Sequence, residues 1–361
     1  MIGIPVKEHE WSLAMTHRVT LRDVSKAAGV GMATVSRALA DHPDVSAETR
    51  DRVRAIALQL GYRPSVAARA LRNGGFRAIS VIVPDDGWGW WEPVVHSAFQ
   101  AASSAGFQVL VHPIAGTDGG LAAVVEGLEN MPTEGVIVIS VRDQQAVREA
   151  CDRIGIPGVA IDDSSLELRF PTISPTNRIG AGDVVAHLVR QGRRRIAFLR
   201  PWLVEGLPGW GDGLFIRERE QGYRDALSAA GLPIDERLIL DVAQRPETEV
   251  YCEELNQLLD AGVVPDAIFC AFDGLAAPVL RTLSSRRIRV PAEVAVAGFD
   301  DERAAVLVSP QLTTVRQPFD EMGRAAVALL LQAVEGTPAP IMRHEFGTTL
   351  VERASTGLER A

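Results

Sequence analysis

The sequence predicts an all-α helix-turn-helix head joined to an α/β body of two lobes, each built on a doubly wound parallel sheet. Three observations carry this. Short helical segments with apolar stripes flank a glycine early in the chain, between residues 21 and 61. From Ala78 onward, β-rich apolar runs alternate with helical segments. The charge changes sign where the texture changes. Thr16 to Arg77 holds eleven Lys and Arg against five Asp and Glu, a balance of +6, whereas Ala78 to Ala361 holds 25 against 39, or −14. The net charge of −9 over 361 residues hides that contrast. A basic module on an acidic body draws phosphate to one end and repels it at the other, as DNA binding through a small head requires.

In the head, Asp23, Val24, Ala27 and Ala28 sit at helical spacing and Gly29 stops the helix. A second helix carries Ala33 to Leu39 and ends at Asp41-His42-Pro43. Ser46 caps a third, with Glu48 in its first turn, Val53, Ile56, Ala57 and Leu60 as its stripe, and Gly61 as its breaker. Two short helices around a glycine turn, closed by a third, make a helix-turn-helix. Pro64 then opens and Asn73-Gly74-Gly75 closes a nine-residue helix. That length is not stable alone, so it is expected to order only against DNA or a second copy.

The body begins with strand Ala78 to Val83, helix Val94 to Ala105 and strand Phe107 to Val111, followed by strands at Gly135 to Ile139 and Val159 to Ile161. A second series runs through helix Ile179 to Arg190, strand Arg195 to Leu199, helix Gly222 to Ala230 and strands Ala267 to Ala271 and Val294 to Ala297. Continuous apolar strands alternating with helices mean parallel sheets covered on both faces. Ligands of such sheets bind beyond the carboxyl ends of the strands.

Other classes lose support. No run reaches the roughly 18 apolar residues of a membrane helix, and Lys7, Glu8, His9 and Glu10 spoil a signal peptide. Residues 1–17 read as a disordered extension, with Met15 an alternative start, and a cytoplasmic location is expected. Cys151, Cys252 and Cys270 lack metal-ligand spacing and read as small buried hydrophobes. Neither a GxGxxG after the first strand, nor a P-loop, nucleophile elbow or HExxH occurs, so no enzyme, cofactor or metal is expected.

The stretch Val19-Thr20-Leu21-Arg22-Asp23-Val24 through Val30-Gly31-Met32-Ala33-Thr34-Val35-Ser36-Arg37-Ala38-Leu39 resembles the head of the LacI/GalR (lac-repressor/galactose-repressor) family of transcriptional regulators. Val45 to Arg50, Leu60 to Ser65 and the hinge-like Ala68-Arg69-Ala70-Leu71 fit too, as do Val290 to Asp301 and Ser309 to Pro318 downstream. The resemblance implies a periplasmic-binding-protein-like sensor, a pseudo-palindromic double-stranded DNA operator, a small-molecule effector and a homodimer. It divides the chain into a head at 18–62, a hinge and linker at 63–77, and a sensor at 78–361. Lobe 1 is then about 78–174 plus 318–343, and lobe 2 about 175–315 plus 346–361.

On that resemblance Met32, Ala33 and Arg37 lie on the recognition helix. Arginine pairs with guanine through two donors, and the apolar pair suits a thymine methyl. Thr20, Thr34 and Ser36 are candidates for phosphate contact. Ala68 and Leu71 belong to the hinge, with Leu71 as an intercalating wedge or else a packing residue. Val24, Val35 and Leu39 read as core. Gly31 stands where the family usually has a capping Ser or Thr.

The resemblance also assigns Asp162, Arg219, Asp273 and Asp300 to the effector, and the aspartates all follow strand ends. Carboxylates accept and guanidinium donates hydrogen bonds, which suits a polyhydroxylated ligand. Phe272 departs from the Asn common in sugar-binding members. Trp88, Trp90 and Trp91 follow the first strand, and Trp202 and Trp210 follow the strand ending at Leu199. Of these, Trp90, Trp91 and Trp202 are taken as effector contacts, since indoles offer broad apolar faces to rings. A sugar leads as the effector, which would release the head from its operator. The alternative is a corepressor such as a nucleobase or nucleoside, and a different class is an extracytoplasmic sugar-binding protein. With no heptad segment after Ala354-Ser355-Thr356, a dimer is expected over a tetramer.

Overall fold

The computed structural model describes residues 19–62, 75–84, 91–114, 118–141, 143–162, 167–202, 213–243 and 251–357. It divides into two units, Met1–Phe76 and Arg77–Ala361. The proposed extension at 1–17, the hinge residues Ala68 and Leu71, and Trp88, Trp90 and Trp210 lie outside the described residues.

The first unit is the expected head: α1 (Leu21–Ala28), α2 (Met32–Leu39) and α3 (Ala47–Gln59). Gly29 is left-handed at φ 68°, a conformation glycine adopts at no steric cost, and so it ends α1. Ser46 caps α3 by accepting from the Thr49 amide at 3.3 Å. Val24, Ala28, Val35, Ala38, Val45, Val53 and Ala57 close one small core, so Val24 and Val35 are structural as expected, and Leu39 packs against them.

The second unit contains two parallel sheets. Lobe 1 uses β1 (Ala78–Pro84), β2 (Gln108–Ile114), β3 (Val136–Ile139), β4 (Gly158–Ile161), β5 (Thr172–Pro175) and β11 (Arg343–Phe346), in the order β11-β5-β4-β3-β1-β2. Helices α4 (Trp91–Ser104), α5 (Asp118–Gly127), α6 (Gln144–Ile154) and α12 (Phe319–Val334) belong to it. Lobe 2 uses β6 (Ile196–Trp202), β7 (Ile239–Ala243), β8 (Ala267–Cys270) and β9 (Ala295–Ala297), in the order β7-β6-β8-β9. Its helices are α7 (Asn177–Arg190), α8 (Leu214–Ala229), α9 (Glu253–Asp260), α10 (Ala276–Ser285) and α11 (Arg303–Leu307). A small antiparallel pair, β10 (Thr314–Arg316) with β12 (Thr349–Val351), completes the unit. Every pairing in the two large sheets is parallel. Each large sheet is buried between two apolar layers, which explains why β3 and β8 read as unbroken hydrophobic runs and β1 is broken only by Ser80.

Three segments among the described residues carry the chain between the lobes: β5 into α7, β10 into α12, and β11 into β12. Two are tied together where the Thr348 amide donates to Thr176 Oγ1 at 3.0 Å.

The structure corrects several boundaries. Gly222 does not begin a helix. It sits inside α8, which starts at Leu214, and its bare Cα lets α8 lie against α7. Helix α4 starts at Trp91, so that residue is not on a loop. β6 runs on to Trp202, whose backbone pairs with Ala243. β11 adds residues 343–346 to the lobe 1 sheet, a little beyond the expected boundary.

Candidate functional site: an exposed recognition helix and a buried carboxylate cluster

In the head, α2 turns one face to its core and another to solvent. Val35 and Ala38 are buried. Met32 is 53% exposed, and Ala33 and Arg37 are exposed beside half-buried Thr34 and Ser36. Gly31 caps α2 without a side-chain hydrogen bond, so the first-turn amides stay available to an anion such as a phosphate. Thr20 acts locally, since its amide and its hydroxyl both donate to Asp23 Oδ2, at 2.8 and 2.7 Å, and so fasten the start of α1. Truncating Arg37 to Ala is expected to weaken specific binding by about 1–3 kcal/mol and to relax preference at one base pair. Equal losses on specific and random duplex in a fluorescence anisotropy titration would contradict that role.

In the second unit, the strand ends meet around Arg219 of α8, which is 2% exposed. Its Nε donates to Asn177 Oδ1 at 3.0 Å, its Nη1 to the Ala271 carbonyl at 2.7 Å, and its Nη2 lies 3.1 Å from Asp300 Oδ1. The Phe299 ring covers the guanidinium at 3.8 Å and Phe215 flanks it at 5.5 Å. Gln317, at a crossing between the lobes, donates from Nε2 to the same Asp300 oxygen at 2.5 Å. Asn177 Nδ2 donates to Glu218 Oε2 at 3.2 Å, and Glu218 Oε1 accepts from Arg343 of β11 at 2.7 Å. A polar chain therefore runs from lobe 1 at Arg343 to Asp300 in lobe 2.

Asp162 ends β4 with its amide on the Ile173 carbonyl at 2.8 Å, while Ser140 Oγ donates to its backbone carbonyl at 3.2 Å. Ser140, Asp162 and Asp300 have φ of 46°, 51° and 111°, so the ends of β3, β4 and β9 each carry a non-glycine residue in a costly conformation. Such outliers gather where surrounding structure fixes a site.

Burial pushes the Asp162 carboxyl up to about 7, with Asp300 and Glu218 adding to the rise and Arg219 and Arg343 opposing it. Burial also lifts Asp300 to about 6, against the pull of Arg219 and Gln317. Both hold their protons higher than the ordinary 3.8, so the folded chain binds more protons than the unfolded one between pH 3.8 and about 7. Their stabilising contribution is complete in acid and drains away as pH rises through 6 and 7. Calorimetric melting without ligand should therefore show Tm falling more steeply from pH 5.5 to 8 in the native protein than in Asp162→Asn. Identical slopes would contradict this.

Two expected effector contacts have side chains already engaged by the protein. Asp273 gives both carboxylate oxygens to the protein: Oδ1 accepts from Thr314 Oγ1 at 2.7 Å and Oδ2 from the Glu302 amide at 2.8 Å. It thus fastens the loop carrying Asp300, and it fits only because residue 298 is glycine, where a Cβ would stand 2.1 Å from Asp273 Oδ1. Trp91 is 4% exposed within the lobe 1 core, where its indole packs with Val94, Val95 and Met322 rather than presenting a face to a ligand. For Trp202 the backbone alone is described. Sequence reasoning missed Asn177, Glu218, Gln317 and Arg343, although Gln317 stands inside the family-like stretch Ser309 to Pro318. Beside Phe272 lies a cavity of about 210 Å³ lined by Leu199, Val242, Tyr251, Leu275 and Pro278.

Residues 20–65 match the model of bacterial regulatory proteins of the lacI family, and residues 185–356 match a periplasmic binding protein-like domain. The transcriptional repressor CytR of Escherichia coli (strain K12) is 30% identical over 93% of this chain and 96% of its own length. The transcriptional regulator CelR of Thermobifida fusca is 31% identical over 94% and 98%. Among solved structures, the lac repressor dimer bound to operator and the anti-inducer ONPF aligns with a TM-score of 0.79 at 28% identity, covering 94% of this chain and 99% of that one. A CelR–cellobiose complex aligns with a TM-score of 0.69 at 28% identity, over 94% and 100%.

Proposed function

Because the chain belongs to the lacI family of bacterial regulatory proteins, we propose that it is a sequence-specific DNA-binding transcriptional regulator, a repressor that a sugar effector releases from its operator. The observation that carries this reading is the joint presence of an exposed recognition face on α2 and a buried polar cluster between lobes that the chain crosses three times among its described residues. The head supplies sequence reading through Met32, Ala33 and Arg37 and anchorage through Thr34 and Ser36, while Thr20 fastens the start of α1 and Ala68 and Leu71 serve as hinge contacts. Asp162, Asp300, Gln317 and Arg219 form the effector edge, while Asp273 acts as a positioning residue. Trp90 and Trp202 are proposed to flank the ring. The protein acts in the cytoplasm and carries out no catalysis of its own.

One head reads one half-site, so useful affinity needs a symmetric pair. Phe99 and Val111, exposed side by side on lobe 1 around a cavity, supply an apolar face for a second copy. Sedimentation at micromolar concentration is expected to give about twice 38.9 kDa, and a tetramer would contradict the assembly. A ligand drawing the lobes together would change the spacing of the paired hinges. Only differential affinity for the two arrangements moves the operator equilibrium, and typical couplings are about 1–3 kcal/mol. The test is a mobility shift of an operator duplex by the full chain across a sugar panel: release by a sugar supports the reading, and sugar-strengthened binding or none at all opposes it.

A further inference from the structure

Two ties near the crossings hold one crossing segment to another. The Thr348 amide donates to Thr176 Oγ1 at 3.0 Å, and the Thr176 amide to the Phe346 carbonyl at 2.9 Å. Such bonds can persist while the lobes turn about the crossings. The ion pair of Arg343 and Glu218 is of another kind. Arg343 opens β11, in register with β5 in the lobe 1 sheet, and Glu218 stands in the second turn of α8 in lobe 2. At the usual strand rise of about 3.3 Å per residue, Arg343 lies roughly 10 Å along β11 from the crossing at Phe346. A rotation of the lobes therefore moves the two ends of this pair against each other. Arg343 Nη1 donates to Glu218 Oε1 at 2.7 Å, and the side chains are only 20% and 24% exposed, so solvent screens the pair less than one on the open surface. Glu218 also accepts from Asn177 Nδ2 at 3.2 Å, while Asn177 Oδ1 accepts from Arg219 Nε at 3.0 Å. One buried amide thus links the pair to the guanidinium beside Asp300.

We propose that Arg343 and Glu218 are positioning residues, an interlobe brace that favours one lobe angle and so biases the operator equilibrium from outside the head and the effector carboxylates. The bias on the operator rests on the regulator reading above, whereas the brace itself does not. A contact shifts an equilibrium only between states that hold it differently, and this one spans the moving parts. Removing either charge therefore depopulates the braced arrangement. Because Asn177 holds Arg219 with one end and Glu218 with the other, a change at Arg219 reaches the brace through a single side chain.

The test uses the full chain with spin labels at Gln145→Cys on α6 and Ser228→Cys on α8, both exposed positions, the three native cysteines being buried. Labelled chains diluted with unlabelled protein, so that no dimer carries two of them, report the distance between the lobes by double electron–electron resonance. Glu218→Gln and Arg343→Gln should each broaden or shift that distribution. Each should also change operator affinity, without any effector, by at least about threefold and in the same direction. The double variant should match either single one, since a pair already lost cannot be lost again. An unchanged distribution in both single variants overturns the brace, even where they melt earlier, and so do effects that add in the double variant. Shifted distances with unchanged operator affinity overturn the bias on the operator and leave the regulator reading standing. A native protein that prefers no duplex removes the regulator reading and the bias together, while the distances still decide the brace.

Discussion

An Asp300→Ala protein is expected to hold its operator as the native protein does and to lose its response to effector entirely. The carboxylate is the hub of the cluster, since Arg219 Nη2 and Gln317 Nε2 both end on its Oδ1. Without it, Arg219 keeps its bonds to Asn177 and Ala271 but is left as a buried cation lacking its counter-ion. Removing one partner of a buried pair typically costs about 3–5 kcal/mol, because the remaining charge stays desolvated. The variant should therefore melt earlier as well as fail to respond. Asp300→Asn preserves the shape and should fall between the two. The separation of effects is the informative part: operator affinity without effector depends on the head, a separate unit with its own core. A variant that responds normally across a broad ligand titration would dismiss Asp300 from the site.

A comparable loss of stability is expected from Gly222→Ala. Helices α7 and α8 lie against each other along their lengths, and a Cβ at 222 would stand 2.1 Å from the Arg178 carbonyl oxygen and 3.0 Å from Ala181 Cβ. A backbone oxygen cannot move aside as a side chain does, so the helices must separate. Overpacking of this kind costs about 3 kcal/mol, or roughly 6–12 °C in Tm for a body of this size. Gly182→Ala on the facing helix is the control, because its nearest neighbour would be Gly222 O at 3.8 Å, an ordinary contact. Helix propensity favours alanine there by about 0.5–1 kcal/mol. Destabilisation of both variants alike would show that close approach is not what residue 222 provides.

These two glycines also show what the sequence left hidden. Local chemistry marked the head nearly to the residue, because Gly29, Ser46 and Gly61 act on their own immediate backbone. The core strands were equally plain, since both faces of each are buried and they are apolar throughout except for the small Ser80 in β1. Gly222 looked like a helix start because, without coordinates, a breaker and a close contact read alike. Strands β10, β11 and β12 went unread: their exposure alternates or they lie at edges, and their pairing is decided by distant segments. In the site, Asp162, Arg219 and Asp300 were legible as charges after strand ends or inside a signature. Asn177 and Gln317 were not, because an amide becomes functional only through the partner that tertiary structure brings to it. Asp273 shows the converse, a correctly located carboxylate whose oxygens had already been claimed by Thr314 and Glu302.

The most direct test of the whole account is selection of duplexes from a random pool by the full-length protein, followed by sequencing and release with a sugar panel. A regulator with paired recognition helices should enrich one pseudo-palindromic site, its half-sites related by two-fold symmetry, and surrender it to an effector. Recovery of no preferred sequence, or of an asymmetric one indifferent to Arg37→Ala, would contradict the assignment of α2 as a reader of DNA.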